Sequence, residues 1–318
     1  MSIALLPAAK VNLGLAVTGR RADGYHELRS VFLRIGLCDS LGAERILEGP
    51  DALTVRGDPE CPIDGNLVLK AAAAVRSAAP PPPLDDRPVP WLSFTLDKHI
   101  PLRAGLGGGS SDAAAALDLV ENLTPLHMRA EARSAVALAL GADVPFFVSG
   151  HAAALVEGVG ERLQELRAVR GGFGLLLLVP PISLATRNVF AAYDALGRQP
   201  DPEVARTVEG LAMEMRTGID GPRLADWATE LRDANQLWPA AAVSAPDLVG
   251  IRENFERRVG RPALMTGSGA GLFALYASVA EAADAGRALA AFAELGLAGA
   301  RLIAVGGEPV GEPAWRSQ

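Results

Sequence analysis

Pro101-Leu102-Arg103-Ala104-Gly105-Leu106-Gly107-Gly108-Gly109-Ser110-Ser111 is the stretch that decides how this chain is read. Upstream, Ser93 to Ile100 has the pattern of a strand. Downstream, Ala113, Ala116, Leu117 and Val120 recur at i, i+3, i+4 and i+7, which is one face of a helix. Ser110 or Ser111 can cap that helix, and Asp112 suits the positive end of its dipole. Glycine lets the backbone approach an anion and take positive φ, so that successive N–H groups point inward, and the helix N-terminus adds partial positive charge. Strand, glycine run and capped helix together predict a phosphate-binding loop. A flexible linker fits less well, because it would not be stitched between a strand and an amphipathic helix.

Two better-known phosphate loops are excluded residue by residue. A Walker A loop needs Lys before its Ser/Thr, and Gly109 stands before Ser110. A dinucleotide fingerprint needs a third glycine where Ser110 stands, and it follows a first strand rather than arriving this far into the chain.

Working outward, Ala9 to Val17 reads as a strand by alternation, with Val11, Leu13 and Leu15 on one face and Lys10 and Asn12 on the other. A polar turn-rich segment, Thr18 to Glu27, precedes a second β pattern from Leu28 to Leu37. Asn66 to Arg76 is helical in composition, and Glu131 to Leu140 is a helix closed by Gly141 as a left-handed C-cap. Pro80 to Pro83, continued to Pro90, predicts an extended inserted loop; docking to a proline-binding domain is the alternative. Leu175 to Val179 has the continuous apolar run of a fully buried strand. Helices follow to about Arg257, then a strand pair around Thr266 to Gly271, a helix from about Ala280 to Leu295, a strand from Arg301 to Val305, and a loose polar tail.

A length of 318 residues exceeds what one hydrophobic core usually serves, and 49% hydrophobic residues suffice for two. The expected organisation is an α+β fold of two domains, residues 1–160 and 161–308, with a cleft between them and a flexible tail at 309–318. A net charge of −7 without a basic run argues against a nucleic-acid or anionic-membrane partner. Cys38 and Cys61 have no metal-like spacing, and His26, His99, His127 and His151 are scattered. No signal peptide or membrane-spanning run is seen, so a cytoplasmic location is expected.

The glycine stretch resembles the P-x-x-x-G-L-G-S/G-S/G-S motif of the GHMP kinase superfamily. Pro7 to Leu13, Asp23-Gly24-Tyr25-His26 and Leu140 to Phe147 are similar, in the same order, to segments of its 4-diphosphocytidyl-2-C-methyl-D-erythritol kinase family, and Met265 to Ala270 is similar to a second-domain glycine motif. The resemblance implies a two-domain GHMP-kinase-like fold. It also implies transfer of the γ-phosphoryl group of ATP, travelling with Mg²⁺, to the 2-hydroxyl of the methylerythritol moiety, a step of the non-mevalonate isoprenoid pathway. Residues 101–111 then bind ATP, with Asn66 near the adenine.

The same resemblance makes Asp143 the general base, with Lys10 paired to it; a turn carboxylate and a snorkelling lysine are the plain alternatives. Asn12, on the face of Lys10, is expected to meet the hydroxyl or a phosphate oxygen. Tyr25 and Phe190 are expected to cover the two faces of the cytosine, His26 to meet its edge, and Thr186, Gly267, Ser268 and Gly269 to contact the substrate. For Phe190 the alternative is ordinary helix packing. No metal ligand is assigned, although the Ser110 and Ser111 hydroxyls are candidates. Another GHMP kinase, a non-catalytic nucleotide binder and a dehydrogenase are the rival readings. One segment departs: the family's N-D-x-E-P reads Asn235-Gln236-Leu237-Trp238-Pro239 here, without carboxylates.

Overall fold

The computed structural model describes residues 1–80, 88–290 and 299–307. The proline run from residue 81, the end of the helix expected to reach residue 295, and the tail lie outside them. The chain opens with β1 (Ser2–Leu5), β2 (Ala8–Arg20), β3 (His26–Cys38), β4 (Ser40–Ile46), β5 (Ala52–Arg56), α1 (Leu67–Ala78) and β6 (Trp91–Asp97). The glycine run leads into α2 (Gly108–Leu123), followed by α3 (Ala130–Leu140), α4 (Val144–Val148), β7 (Ala153–Gly158), β8 (Arg162–Leu166) and β9 (Gly174–Val179). The helices α5 (Thr186–Ala195), α6 (Pro202–Thr217), α7 (Gly221–Asp226), α8 (Ala228–Leu231), α9 (Trp238–Ser244) and α10 (Asp247–Val259) come next. The described chain closes with β10 (Leu264–Met265), β11 (Leu272–Tyr276), α11 (Val279–Ala290) and β12 (Arg301–Gly306).

The described strands form three four-stranded sheets ordered β1-β4-β6-β5, β2-β3-β7-β8 and β10-β11-β9-β12. All pairings are antiparallel except β5 with β6. The expected division at residue 160 falls in the turn of the β7–β8 hairpin. Each sheet buries a face. Helices α1 and α2 pack alanine-rich stripes, Val68, Ala71, Ala72 and Val75 against Ala113, Ala116, Leu117 and Val120, into one apolar cluster behind β4 and β6. The β9 run is buried on both sides, as its sequence requires: Leu175 and Leu177 face the core shared with β2 and α6, Leu176 and Leu178 the core under α5 and α9. Each such leucine contributes roughly 1.5–3 kcal/mol of burial.

Two local expectations change. Gly14 sits at a φ of 80° where the β2–β3 register shifts, and a Cβ there would lie 2.8 Å from Val208 Cγ2. This bulge resets the alternation, so Leu15 leaves the cluster of Val11 and Leu13 and lines the cavity with Lys10 and Asn12. Gly141 closes α3 in an extended conformation rather than a left-handed one, because the chain must run straight on to Asp143 and α4. The strand pair expected around 266–271 forms: β10 and β11 pair antiparallel, and the glycine-bearing segment is the turn between them.

Candidate active site

A cavity of about 560 Å³ opens beside the glycine run, and residues 101–110 form one wall of it. Helix α2 begins inside the run: Gly107, at a φ of 73°, is its N-cap, and no side chain caps it. The expected serine cap is therefore absent. Ser110 and Ser111 already belong to the first turn, where Ser110 faces the cavity and Ser111 is buried. First-turn amides without a side-chain cap are what an anion can take up. The loop tolerates only glycine at Gly105 and Gly107. Both have positive φ; a Cβ at Gly105 would run into the Thr266 carbonyl oxygen, and one at Gly107 would press on the Phe147 ring and Lys10.

Lys10 and Asp143 line the same cavity, with the Lys10 side chain packed against the loop at Gly107. Strand β2 delivers Lys10 on its polar face, and the Lys10 amide donates to the Leu106 carbonyl at 2.9 Å, which ties strand to loop. The ammonium donates to Asn12 Oδ1 at 2.7 Å, lies 3.3 Å from Asp143 Oδ2, and rests 4.5 Å above the Phe32 ring. Lys10 is 3% exposed, whereas the Asp143 side chain is 30% exposed, makes no capping hydrogen bond at the start of α4, and lines the cavity. Asn12 donates to Ser30 Oγ at 2.9 Å, and its amide donates to Thr266 Oγ1 at 3.1 Å. The Thr266 hydroxyl also lies 3.0 Å from the Gly105 carbonyl oxygen. This network joins β2, β3, the glycine loop and the 266–271 turn, and it holds Lys10 where a buried charge needs partners.

Sequence reasoning missed a second ionic cluster behind the loop. Lys98 donates to Asp39 and, at 2.9 Å, to Asp112 Oδ2 on α2; Asp39 also accepts from the amides of His99 and Ile100, at 2.6 and 2.8 Å. All three side chains are almost fully buried. Burial disfavours the Lys98 charge, but the Asp112 and Asp39 carboxylates outweigh it and hold its pKa above the usual range. Burial, against the pull of Lys98 and with the push of Asp39, raises the Asp112 carboxyl to about 7. The Oδ1 of Asp112 has no hydrogen-bond partner. A signal was present: Leu92, Phe94 and Leu96 fill the buried phase of β6, and Lys98 and Ile100 continue that phase. Asp112 therefore serves the lysine rather than the helix dipole alone.

The remaining expected residues divide. Thr186, Phe190, Gly267 and Ser268 line the cavity, with Thr186 Oγ1 and Ser268 Oγ 3.0 Å apart. Asn66 instead caps α1, accepting from the Val68 amide at 3.0 Å, and its neighbour Leu67 reaches the cavity. Tyr25, His26 and Gly269 are outside the lining. Tyr25 is 67% exposed, and Phe190 stacks on His26, centroids 5.0 Å apart, rather than on Tyr25.

The departing segment is accommodated. Asn235 donates to the carbonyls of Met265 and Gly267 at 2.9 Å, which steadies the turn beside the cavity. Gln236 accepts from the Val17 amide at 2.7 Å and donates to the Gln199 carbonyl at 3.2 Å, a pair of bonds no carboxylate could make. Trp238 carries the Arg252 guanidinium 4.3 Å above its ring.

The fold and the loop-walled cavity are those of a GHMP kinase, and residues 66–151 match the family described as GHMP kinases N terminal domain. The architecture is shared with a homoserine kinase from Cytophaga hutchinsonii (TM-score 0.67, 17% identity, 96% of each chain). Similarity is higher to a crystal structure of a 4-(cytidine 5'-diphospho)-2C-methyl-D-erythritol kinase, at a TM-score of 0.69 and 33% identity over 96% of this chain and 100% of that one. A 4-diphosphocytidyl-2-C-methyl-D-erythritol kinase of Bradyrhizobium sp. (strain ORS 278) is 37% identical over 89% of this chain and 91% of its own. The chain belongs to the 4-diphosphocytidyl-2-C-methyl-D-erythritol kinase family.

Proposed function

We propose that the chain phosphorylates the 2-hydroxyl of 4-diphosphocytidyl-2-C-methyl-D-erythritol with ATP, in the non-mevalonate route to isoprenoid precursors. The observation that carries this reading is the Lys10–Asp143 pair, 3.3 Å apart and lining one cavity with the glycine loop. The loop amides and the start of α2 take the ATP phosphates. Asp143, beside the Lys10 ammonium, accepts the hydroxyl proton as the substrate oxygen attacks the γ-phosphorus and the bond to the β-phosphate oxygen breaks, releasing ADP. Lys10 faces the charge that builds on the transferred group, so positioning and electrostatics supply the catalysis.

Mg²⁺ fits as the ion that travels with ATP. Among the described residues no cluster of three His, Cys, Asp or Glu could hold a metal by itself, but the Asp143 carboxylate and the Ser110 hydroxyl are hard oxygen donors in the same cavity. Such a set suits a largely hydrated ion held mainly by phosphates, where it would neutralise their charge. The cytosine is assigned to the Tyr25–His26 turn and Phe190, with Thr186 and Ser268 nearby. The same reading divides the chain near residue 160 and places the protein in the cytoplasm; no described helix is long and apolar enough to cross a membrane.

The test is ATP-dependent phosphorylation of the cytidylyl substrate, homoserine and mevalonate side by side. Turnover of the first alone is expected; turnover of either other alcohol in its place would overturn the assignment.

A further inference from the structure

His26 is held on three sides by one helix. Phe190, Tyr193 and Asp194 stand at i, i+3 and i+4 on α5 and all face its ring. Phe190 stacks on it with planes 19° apart, Tyr193 meets its edge at 85° with centroids 5.7 Å apart, and His26 Nε2 lies 2.8 Å from Asp194 Oδ1. The His26 side chain is 8% exposed, so these contacts fix the ring plane. Asp194 is itself anchored by Arg20, whose Nη2 lies 3.4 Å from Oδ2.

An ionised carboxylate accepts hydrogen bonds and cannot donate one. The imidazole nitrogen facing Asp194 must therefore carry the proton, and in the neutral ring Nδ1 is left as an acceptor. Among the described residues nothing occupies Nδ1. Phe190, the ring stacked on His26, lines the cavity.

We propose that Asp194 is a positioning residue that holds His26 as its Nε2–H tautomer and thereby makes Nδ1 select a 4-amino pyrimidine against a 4-oxo pyrimidine. The proposal rests on the assignment of the base to the Tyr25–His26 turn. An acceptor at Nδ1 pairs with the exocyclic amine of cytosine; opposite the carbonyl of uracil it meets a second acceptor, and both are left without a proton between them. A site built around a specific hydrogen bond rejects the analogue that cannot make it far more strongly than an apolar pocket does.

Two measurements on the full-length chain test this. The first is nitrogen-15 NMR of the histidine ring without substrate. The Nε2–H tautomer of His26 is expected in the wild type, and Asp194→Ala should shift it to a mixture. A wild-type ring protonated on Nδ1 alone, or on both nitrogens, would overturn the proposal whatever the enzyme acts on. The second is the ratio of kcat/KM for the cytidylyl substrate and its uridylyl counterpart.

Asp194→Ala should reduce that ratio by about 10-fold or more, mainly through a higher KM for the cytidylyl substrate, with the KM for ATP unchanged. Asp194→Asn, whose carbonyl can still accept from Nε2–H, should restore most of the ratio. Arg20→Ala, which leaves the hydrogen bond intact, should preserve it. An unchanged ratio in Asp194→Ala would refute the selection. Failure of the wild type to phosphorylate the cytidylyl substrate would instead refute the proposed function, leaving the tautomer to be judged by NMR.

Discussion

Lys10 and Lys98 both lie against the glycine loop, both are nearly buried and both face aspartates, yet their surroundings differ. Lys10 has one carboxylate, Asp143, whose side chain is 30% exposed and open to the cavity. Lys98 has two, Asp39 and Asp112, both closed off from water. The first arrangement leaves an oxygen that can still take a proton, as general-base chemistry requires. In the second, both carboxylates bond Lys98, which itself lines the cavity, and the cluster links the end of β6, the β3–β4 junction and α2. Solvent access separates the Asp143 carboxylate from the two carboxylates of the Lys98 cluster.

Removing the reacting carboxylate breaks the comparison most sharply. Asp143→Asn should lower kcat by about 10²–10⁴-fold with little change in ATP affinity. Turnover near the wild-type rate in a steady-state assay would remove Asp143 from the chemistry.

Lys98→Met should act on stability first. It strands two buried carboxylates, and breaking a buried ion pair costs about 3–5 kcal/mol. A melting temperature within a degree or two of wild type would mean that the cluster braces nothing.

At the base end, Tyr25→Ala should raise the KM for the cytidylyl substrate roughly 10-fold, since stacking on a base is worth about 1–3 kcal/mol, while the KM for ATP stays in place. Equal losses for both ligands would rule out a stacking role for this exposed ring.

The smallest effect sharpens the contrast through pH. The native state keeps the Asp112 proton up to about pH 7, whereas the unfolded chain releases it near pH 3.9. Between those values the native state binds more protons, so this group's contribution to stability falls as pH rises from about 4 to 7 and stays low above that. Asp112→Asn, which mimics the neutral form, should melt a few degrees above wild type at pH 8, with the gap closing toward pH 4. A gap that is constant with pH would place the titration elsewhere.

The Lys10–Asp143 pair was legible through the motif resemblance: the strand pattern put Lys10 on its polar face, but nothing local set Asp143 apart from a turn carboxylate. The bracing cluster drew less notice. Asp39, Lys98 and Asp112 belong to three separate elements, and only the buried phase of Lys98 in β6 hinted that it had partners. Phe190, expected to cover a cytosine face, lines the cavity, but its stacking on His26 depends on how α5 packs across β3. Gly14 shows the same limit at shorter range, because a single bulge turned Leu15 from one core cluster toward the cavity.

By itself the sequence determined the strand, glycine loop and helix, the doubly buried β9, the α+β class and the kinase family, since each follows from periodicity, glycine placement or motif order within short windows. Only the tertiary structure decided which carboxylates meet Lys98, that Asn66 caps a helix, and that an aspartate on α5 reaches His26. Those contacts join residues far apart in the chain, and their geometry comes from how packed sheets and helices bring surfaces together, which no local pattern encodes.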